Sequence, residues 1–411
     1  MYLKRHLEAQ IRKAAQHFKV LMLVGARQVG KSTLLAHLFP DCPHITFDAS
    51  RDLYGVQDDP DLFLQNYPHP TIFDEIQYAP QLLSSIKRKV DAQTENGQYF
   101  LTGSQNLSVM RNAAESLAGR VLILNLRGLT PYEMAEQTDN HWLTTFLNAP
   151  ESLPQTVNGL LDTGKTLYQH LWYGNLPAAQ NLHPTLLPLY LDSYVITYLE
   201  RDVRLLENVS DLSHFDRFLG VLAALSAQEI NYSQLGREIS VSPATSQKWL
   251  NVLKHSYLWH ELPAFTRNMI KRISKKTKGY FADTGLLCHL QNIPSPESLG
   301  RHPLLGAIFE TFCANLIMSL GQTLALPPKL YHWRSNGGAE VDLIMEYDQT
   351  FYPIEIKCKT TVNKRDSSGI KAFKTSYPEL NIGCGLILYA GETCRAVEKD
   401  IIALPWNAVV A

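Results

Sequence analysis

The sequence predicts a multidomain α/β protein: a doubly wound parallel sheet first, a helical middle, and a second, smaller α/β domain at the end. Three observations carry this expectation. An apolar run, FKVLMLV (18–24), passes through a glycine-framed loop, GARQVGKS, into the helix-forming TLLAHLF. Apolar strands then alternate with helical stretches on short connections as far as residue 134, as parallel sheets require. Beyond residue 300, an apolar helix precedes two strands in which charged and apolar residues alternate.

The first strand predicts its own loop. Gly25–Ser32 reads G-x-x-x-x-G-K-[ST], the phosphate-binding loop, set between a strand and a helix where its amides converge. Gly25 and Gly30 let the backbone wrap, and Ala26, Arg27, Gln28 and Val29 complete the cradle. Lys31 is placed for the β- and γ-phosphates, Ser32 for Mg²⁺, and Thr33 begins the helix behind them.

The remaining strands follow in order. HITFDAS (44–50) reads as the second and TIFDEIQ (71–77) as the third, ending in Asp74 and Glu75. Asp74 suits the acid that holds the Mg²⁺ shell, and Glu75 is placed to polarise the attacking water. YFLTGSQ (99–105) is a fourth strand. Its small polar end (Thr102, Ser104, Gln105) is either a γ-phosphate sensor or an ordinary strand-end turn. A turn and a fifth strand follow in SLAGRVLILNLRGLTPYEM (116–134). There Arg120 is either an arginine that reaches a neighbouring subunit's phosphate or a surface ion-pair arginine.

GARQVGKSTLL, FDEIQ, LTGSQ and SLAGR together resemble the AAA+ class of P-loop ATPases. More narrowly, they resemble a widespread prokaryotic family in which a carboxy-terminal domain of unknown function follows the ATPase. The resemblance implies an AAA+/ASCE-like parallel sheet that hydrolyses ATP with Mg²⁺. It assigns Lys31, Ser32, Asp74 and Glu75 to that reaction, with Arg120 as a trans-acting arginine if the chain forms a homo-oligomer.

Residues 136–166 are polar and loop-like. WYGNLPAA (172–179) and YVITYLERDVR (194–204), with its Arg201-Asp202 pair, match motifs of the same family and read as helical packing elements. Residues 228–258 read as a helix-turn-helix. Leu235 and Ile239 lie at i, i+4, Ser242 is an N-cap, and Pro243 takes the first helical position. On the second helix Trp249, Leu250, Leu253 and Tyr257 face inward, while Ala244, Thr245, Gln247, Lys248 and Asn251 face out. That outer face suits either a DNA groove or a protein. Arg267, Lys271, Arg272, Lys275, Lys276 and Lys278 follow without an acid between them. They form either a phosphate-contacting wing or a solvated basic loop.

QNIPSPESLGRHP (291–303) separates the last domain. Its helix, LLGAIFETFCANLIMSL, carries Glu310. GGAEVDLIME (337–346) sets Asp342 opposite Val341, Leu343 and Met345, and TFYPIEIKCKTT (350–361) sets Glu355 and Lys357 opposite Ile354, Ile356 and Cys358. This constellation resembles the PD-(D/E)xK nuclease core. The resemblance implies Asp342 and Glu355 as ligands of Mg²⁺ or Mn²⁺, Glu310 as a supporting acid ligand, and Lys357 as the lysine that positions the attacking water. The alternative is a fold that grips nucleic acid without cutting it.

Composition frames these expectations. Of 411 residues, 45% are hydrophobic and 19% charged, against about 25% charged in ordinary soluble proteins, which excludes a largely disordered chain. Lys plus Arg is 38 and Asp plus Glu 39, so global charge advertises no nucleic-acid or membrane partner. Six cysteines lack zinc-ligand spacing, and neither the N-terminal MYLKRHLEAQ nor the uncharged stretch 311–328 reads as a signal peptide or membrane span. A cytoplasmic protein with no membrane partner is expected.

The expected divisions are 1–135 for the ATPase, 136–215 for a helical connection, 216–290 for a winged helix-turn-helix with its basic segment, and 300–411 for the nuclease-like domain. Together they imply an ATP-hydrolysing protein acting on or with nucleic acid, DNA before RNA, whose last domain cleaves metal-dependently. The alternative is a nucleic-acid-binding or protein-remodelling switch with an inactive last domain.

Overall fold

The computed structural model describes residues 2–48, 55–104, 117–199, 212–267 and 276–410. Gln105, Ser116, Arg201, Asp202, Lys271, Arg272 and Lys275 lie outside the described residues. The chain forms two compact units. One comprises Arg5–Gly128 with Val252–Leu258, and the other Met1–Lys4, Leu129–Asn251 and Trp259–Ala411.

The first unit contains α1 (Glu8–Ala15), β1 (Val20–Val24), α2 (Lys31–Leu38), β2 (His44–Thr46), α3 (Pro60–Asn66), β3 (Thr71–Asp74), α4 (Leu82–Asp91), β4 (Tyr99–Gly103) and β5 (Val121–Asn125). The five strands form one sheet in the order β2-β3-β4-β1-β5, every neighbouring pair parallel. A parallel sheet covered on both faces needs apolar residues in succession rather than alternation. β1 shows this: all five of its residues are buried. Met22, Val24, Phe73 and Leu101 enter one core with Leu82, Leu83 and Ile86 of α4, while Leu21, Leu23, Ile72 and Phe100 are buried on the other side. β4 lies between the strand that ends in the phosphate loop and the strand that ends in Asp74. Its own carboxyl end, Thr102–Ser104, is thereby delivered between them.

After α5 (Leu167–Tyr173) of the second unit, the segment expected to form a helix-turn-helix holds two helices, α6 (Tyr232–Glu238) and α7 (Pro243–His255). The Thr245 N–H donates to Ser242 Oγ at 3.0 Å, so Ser242 caps α7, and Asn231 Oδ1 caps α6. A Cβ on Gly236 would stand 2.8 Å from the Val241 carbonyl oxygen, which is why a glycine permits so tight a turn. Trp249 is buried edge-on to Phe215 and Phe218. Gln247, Lys248 and Asn251 are exposed. A small antiparallel sheet follows, β7 (Gln228–Glu229), β9 (Lys278–Phe281) and β8 (Trp259–Leu262) in that order.

The rest of this unit is α8 (Thr284–Leu290), α9 (Leu305–Gly321) and a six-stranded sheet. The sheet order is β10 (Lys329–Arg334), β11 (Glu340–Tyr347), β12 (Thr350–Lys357), β13 (Gly385–Tyr389), β15 (Ile401–Pro405) and β14 (Arg395–Glu398). β10, β11 and β12 form an antiparallel meander, whereas β12, β13 and β15 are parallel. The parallel step is made through α10 (Ser368–Ser376), as a crossover requires. A last pair, β6 (Val157–Leu160) with β16 (Ala408–Val410), ties the start of the unit to its end. The same end of the unit receives the TPYEM segment (130–134). Tyr132 is fully buried and donates to the Ala408 carbonyl at 2.5 Å, so TPYEM belongs with the distant C-terminal strand.

His170 of α5 is buried against Trp406, its Nε2 2.6 Å from Thr163 Oγ1. Burial, with Lys165 beside it, pushes its pKa down to about 4. Between that value and the ordinary 6.5, the unfolded chain binds the proton that the folded chain refuses. Stability from this group is therefore complete above pH 6.5 and lost as pH falls toward 4, by about 3 kcal/mol. Urea unfolding should show the stability difference between wild type and His170→Leu changing by that amount over this window. A pH-independent difference would remove His170 from the acid response.

Candidate functional site

The phosphate loop has the expected form. Gly25 has φ +149°, Gly30 +94° and Gln28 +61°. At Gly25 a Cβ would lie 2.1 Å from the Leu126 carbonyl oxygen, because the loop leaves β1 hard against the end of β5. Gly30 precedes α2 without a side-chain cap, leaving the first-turn amides for an anion. Lys31 is buried, and its Nζ donates to the Gly25 and Ala26 carbonyls at 3.0 and 2.8 Å. Around it, Arg27 donates to the Tyr78 hydroxyl at 3.3 Å, and Arg5 donates to the Val29 carbonyl at 2.8 Å.

The acids come to this loop from β3. Ser32 Oγ donates to Asp74 Oδ1 at 2.6 Å, and the Thr102 hydroxyl donates to the same oxygen. Thr46 Oγ1 lies 3.5 Å from Asp74 Oδ2. A hydroxyl and a carboxylate side by side, both hard oxygens, fit Mg²⁺. Glu75 sits in the left-handed region, φ +58° and ψ +48°, a strained conformation for a side chain of its size. Its N–H donates to Thr102 Oγ1 at 3.0 Å. Ser104 Oγ donates to Glu75 Oε2 at 2.9 Å, and Gln77 Nε2 donates to the same oxygen. Thr102 and Ser104 thus fasten the two acids. Gln77 was missed in the sequence, although its place two residues after Glu75 was visible there.

Arg120 is not brought to the phosphate loop of its own chain. It precedes β5, and Val20 pairs with Val121 while Val24 pairs with Asn125. Its main chain therefore lies at the amino end of the sheet, five residues or roughly 16 Å of strand from the phosphate loop. Its guanidinium forms a bidentate pair with Asp91, at 2.5 and 3.1 Å. That is the surface ion-pair arrangement.

The second constellation lies in the other unit. Paired register between β11 and β12 begins at Leu343 and Ile354. Just beyond it, the Ile356 N–H donates to Asp342 Oδ2 at 2.8 Å, so a side chain takes the place of the ladder. Lys357 Nζ stands 2.5 Å from Glu355 Oε2 and 3.5 Å from Asp342 Oδ2. Glu310, on α9, accepts from Tyr280 at 2.8 Å and pairs with Lys278 at 2.5 Å. Lys278 also reaches Asp342 Oδ1 at 3.6 Å. Gly369 leaves room for this cluster, since a Cβ there would stand 2.2 Å from Glu355 Oε1.

The electrostatics follow from burial. It pushes Glu310 up to about 7 and Glu355 up to about 8, with Asp342 reinforcing both. Burial opposes ionisation of Asp342 too, but Lys278, Lys357 and the Ile356 amide hold it below the usual carboxylate value. Burial also acts against the charge of both lysines, and the surrounding acids more than reverse it.

Glu310, Asp342, Glu355 and Lys357 are therefore brought together as expected, with Lys278 as a second cation beside Glu310 and Asp342. Two lysines pair with the three acids, and among the described residues no group of three or more His, Cys, Asp or Glu is arranged to hold a metal ion. Lys278 also leaves the expected phosphate-contacting run: its side chain is mostly covered in this cluster, and Arg267 pairs with Glu379. All six cysteines are free. Among the described residues, no helix is long and apolar enough to cross a membrane.

Comparison with known proteins agrees with the fold of the first unit. Residues 17–135 match the model of an AAA domain. This part of the chain has the AAA-type P-loop ATPase fold. Residues 164–297 and 305–409 match two domains of unknown function, DUF8612 and DUF4143. The uncharacterized proteins Rv2008c of Mycobacterium tuberculosis and Mb2031c of Mycobacterium bovis are each 28% identical to this chain over 413 aligned residues. The alignment covers 99% of this chain and 84% of theirs. Among solved structures, the Walker-type ATPase PABY2304 of Pyrococcus abyssi is similar at TM-score 0.42 and 16% identity, covering 71% of this chain and 96% of that one. The Thermotoga maritima RuvB Holliday junction branch migration motor gives 0.31 and 15%, covering 64% and 90%. At these scores neither structure bears on function.

Proposed function

We propose that this protein is an ATP-hydrolysing switch that acts on or with nucleic acid, DNA before RNA, and whose last domain is laid out like a PD-(D/E)xK nuclease without cutting. The observation that carries the ATPase reading is the joint fixing of Ser32, Asp74 and Glu75 at the mouth of the phosphate loop. Lys31 exchanges the Gly25 and Ala26 carbonyls for the β- and γ-phosphates. Ser32 and Asp74 would hold Mg²⁺, which would supply charge neutralisation to the bound phosphates. Glu75, held by Ser104 and Gln77, orients a water in line with the γ-phosphate and accepts its proton.

Lys31→Ala should reduce phosphate release at least ~100-fold, because a buried cation aimed at developing charge is removed. Turnover near the wild-type rate would overturn the assignment. The nucleic-acid reading is supported by the exposed Gln247, Lys248 and Asn251 on α7 and by the exposed Lys276. Duplex DNA binding that weakens between low and moderate salt supports it. ATPase and binding assays indifferent to DNA and RNA would leave the protein-remodelling reading. The non-cutting reading is favoured by the pairing of Lys278 and Lys357 with all three acids.

A further inference from the structure

The acidic cluster carries its own cations, and one of them comes from outside the helix and strands that build it. Lys278 is the first residue of β9, in the small sheet beside the helix-turn-helix, yet its side chain is only 13% exposed and ends between Glu310 and Asp342. Both oxygens of Asp342 are thereby engaged. Oδ1 faces Lys278 at 3.6 Å, and Oδ2 accepts the Ile356 N–H and faces Lys357 at 3.5 Å. The Tyr280 hydroxyl adds a donor to the Glu310 oxygen that Lys278 already holds. A cavity of about 410 Å³ opens onto Glu310, Asp342 and Lys278, so small solutes have access to the cluster.

A divalent ion needs several oxygens converging on one point at about 2.0–2.6 Å. Glu310 and Asp342 both face the Lys278 ammonium, which stands 2.5 Å from Glu310 Oε1 and 3.6 Å from Asp342 Oδ1, in the space a divalent ion shared by these two acids would need. An ammonium and a divalent ion cannot occupy it together. The lysine also brings a full charge and three donors without an ion having to be recruited from solution.

We propose that Lys278 is the resident cation of this pocket, standing where a divalent ion would stand between Glu310 and Asp342. The intact pocket therefore excludes Mg²⁺ and Mn²⁺, and loss of that one ammonium turns it into a divalent-cation site. The inference rests on the non-cutting reading of the last domain, which it explains by identifying what fills the site.

Mn²⁺ binding to the full chain is read by electron paramagnetic resonance without nucleotide, so that the phosphate-loop site does not contribute. Wild type and Lys278→Arg should bind no Mn²⁺ at this pocket. Lys278→Met should bind one per chain, at least tenfold tighter than wild type, and Lys278→Met with Asp342→Asn should lose it. A folded Lys278→Met that gains no Mn²⁺ overturns the proposal. So does a wild-type Mn²⁺ site that Asp342→Asn abolishes, a comparison that decides even where Lys278→Met does not fold. Cleavage of labelled duplex DNA is followed separately. Wild-type Mn²⁺ binding without cleavage sinks the resident-cation inference alone, whereas Mg²⁺-dependent cleavage lost in Asp342→Asn sinks the non-cutting reading with it.

Discussion

Glu75→Gln should bind ATP as the wild type does and turn it over ~10²–10⁴-fold more slowly, the usual contribution of a positioned general base. The substitution keeps the shape and removes only the basicity. Ser104 Oγ and Gln77 Nε2 both donate to one oxygen of the Glu75 side chain, and an amide oxygen can accept from them in its place. The Glu75 N–H bond to Thr102 belongs to the main chain and is untouched. Binding of a fluorescent ATP analogue should therefore stay within about threefold of wild type while phosphate release collapses. Turnover within tenfold of wild type would place the base elsewhere. Parallel loss of binding would make Glu75 a structural residue of the strained strand end.

Asp283→Ala should cause the largest loss of stability of any single polar substitution considered for the second unit. The carboxylate is fully buried at the start of α8. It accepts the Asn175 N–H at 2.5 Å and the Leu286 N–H at 2.7 Å, thus joining the WYGNLP turn to α8. Gly174 in that turn has φ +69°, and a Cβ on it would meet Asp283 Oδ1 at 2.4 Å, so the backbone is pressed onto the acid. Removing the carboxylate leaves buried amides without an acceptor, at about 1–3 kcal/mol each. A total of about 3 kcal/mol or more is expected, read as a fall in the urea midpoint at unchanged m-value. A loss under about 1 kcal/mol would mean that water or another acceptor replaces the acid.

The first site was legible because its chemistry is mostly local. Gly25–Ser32 is contiguous, its strand and helix announce themselves, and Asp74-Glu75 follows at the end of an unbroken apolar run. Arg120 shows what local reading leaves open. It stands before its strand, and in a parallel sheet residues before a strand lie at the opposite end from those after it, so strand direction alone separates it from the phosphate loop. Asp91, its partner, is 29 residues away in sequence and carries no signal of that pairing.

The last domain divides in the same way. The helix with Glu310 and the strands with Asp342, Glu355 and Lys357 could be placed from periodicity, and their convergence could be expected. That Lys278 would join them could not. In the sequence it is one cation in a basic run, indistinguishable from Lys276 beside it. By itself, then, the sequence determined the phosphate loop, its two acids, the helices on either side of Ser242 and the acid-lysine pattern of the last domain, because each is written in short-range spacing and hydrophobic period. Only the tertiary structure showed that Arg120 pairs with Asp91, that Tyr132 of TPYEM bonds to Ala408, and that Lys278 joins the acid cluster. Those outcomes depend on which distant side chains share one buried volume, and burial makes every charge there answer to its neighbours and not to its place in the chain.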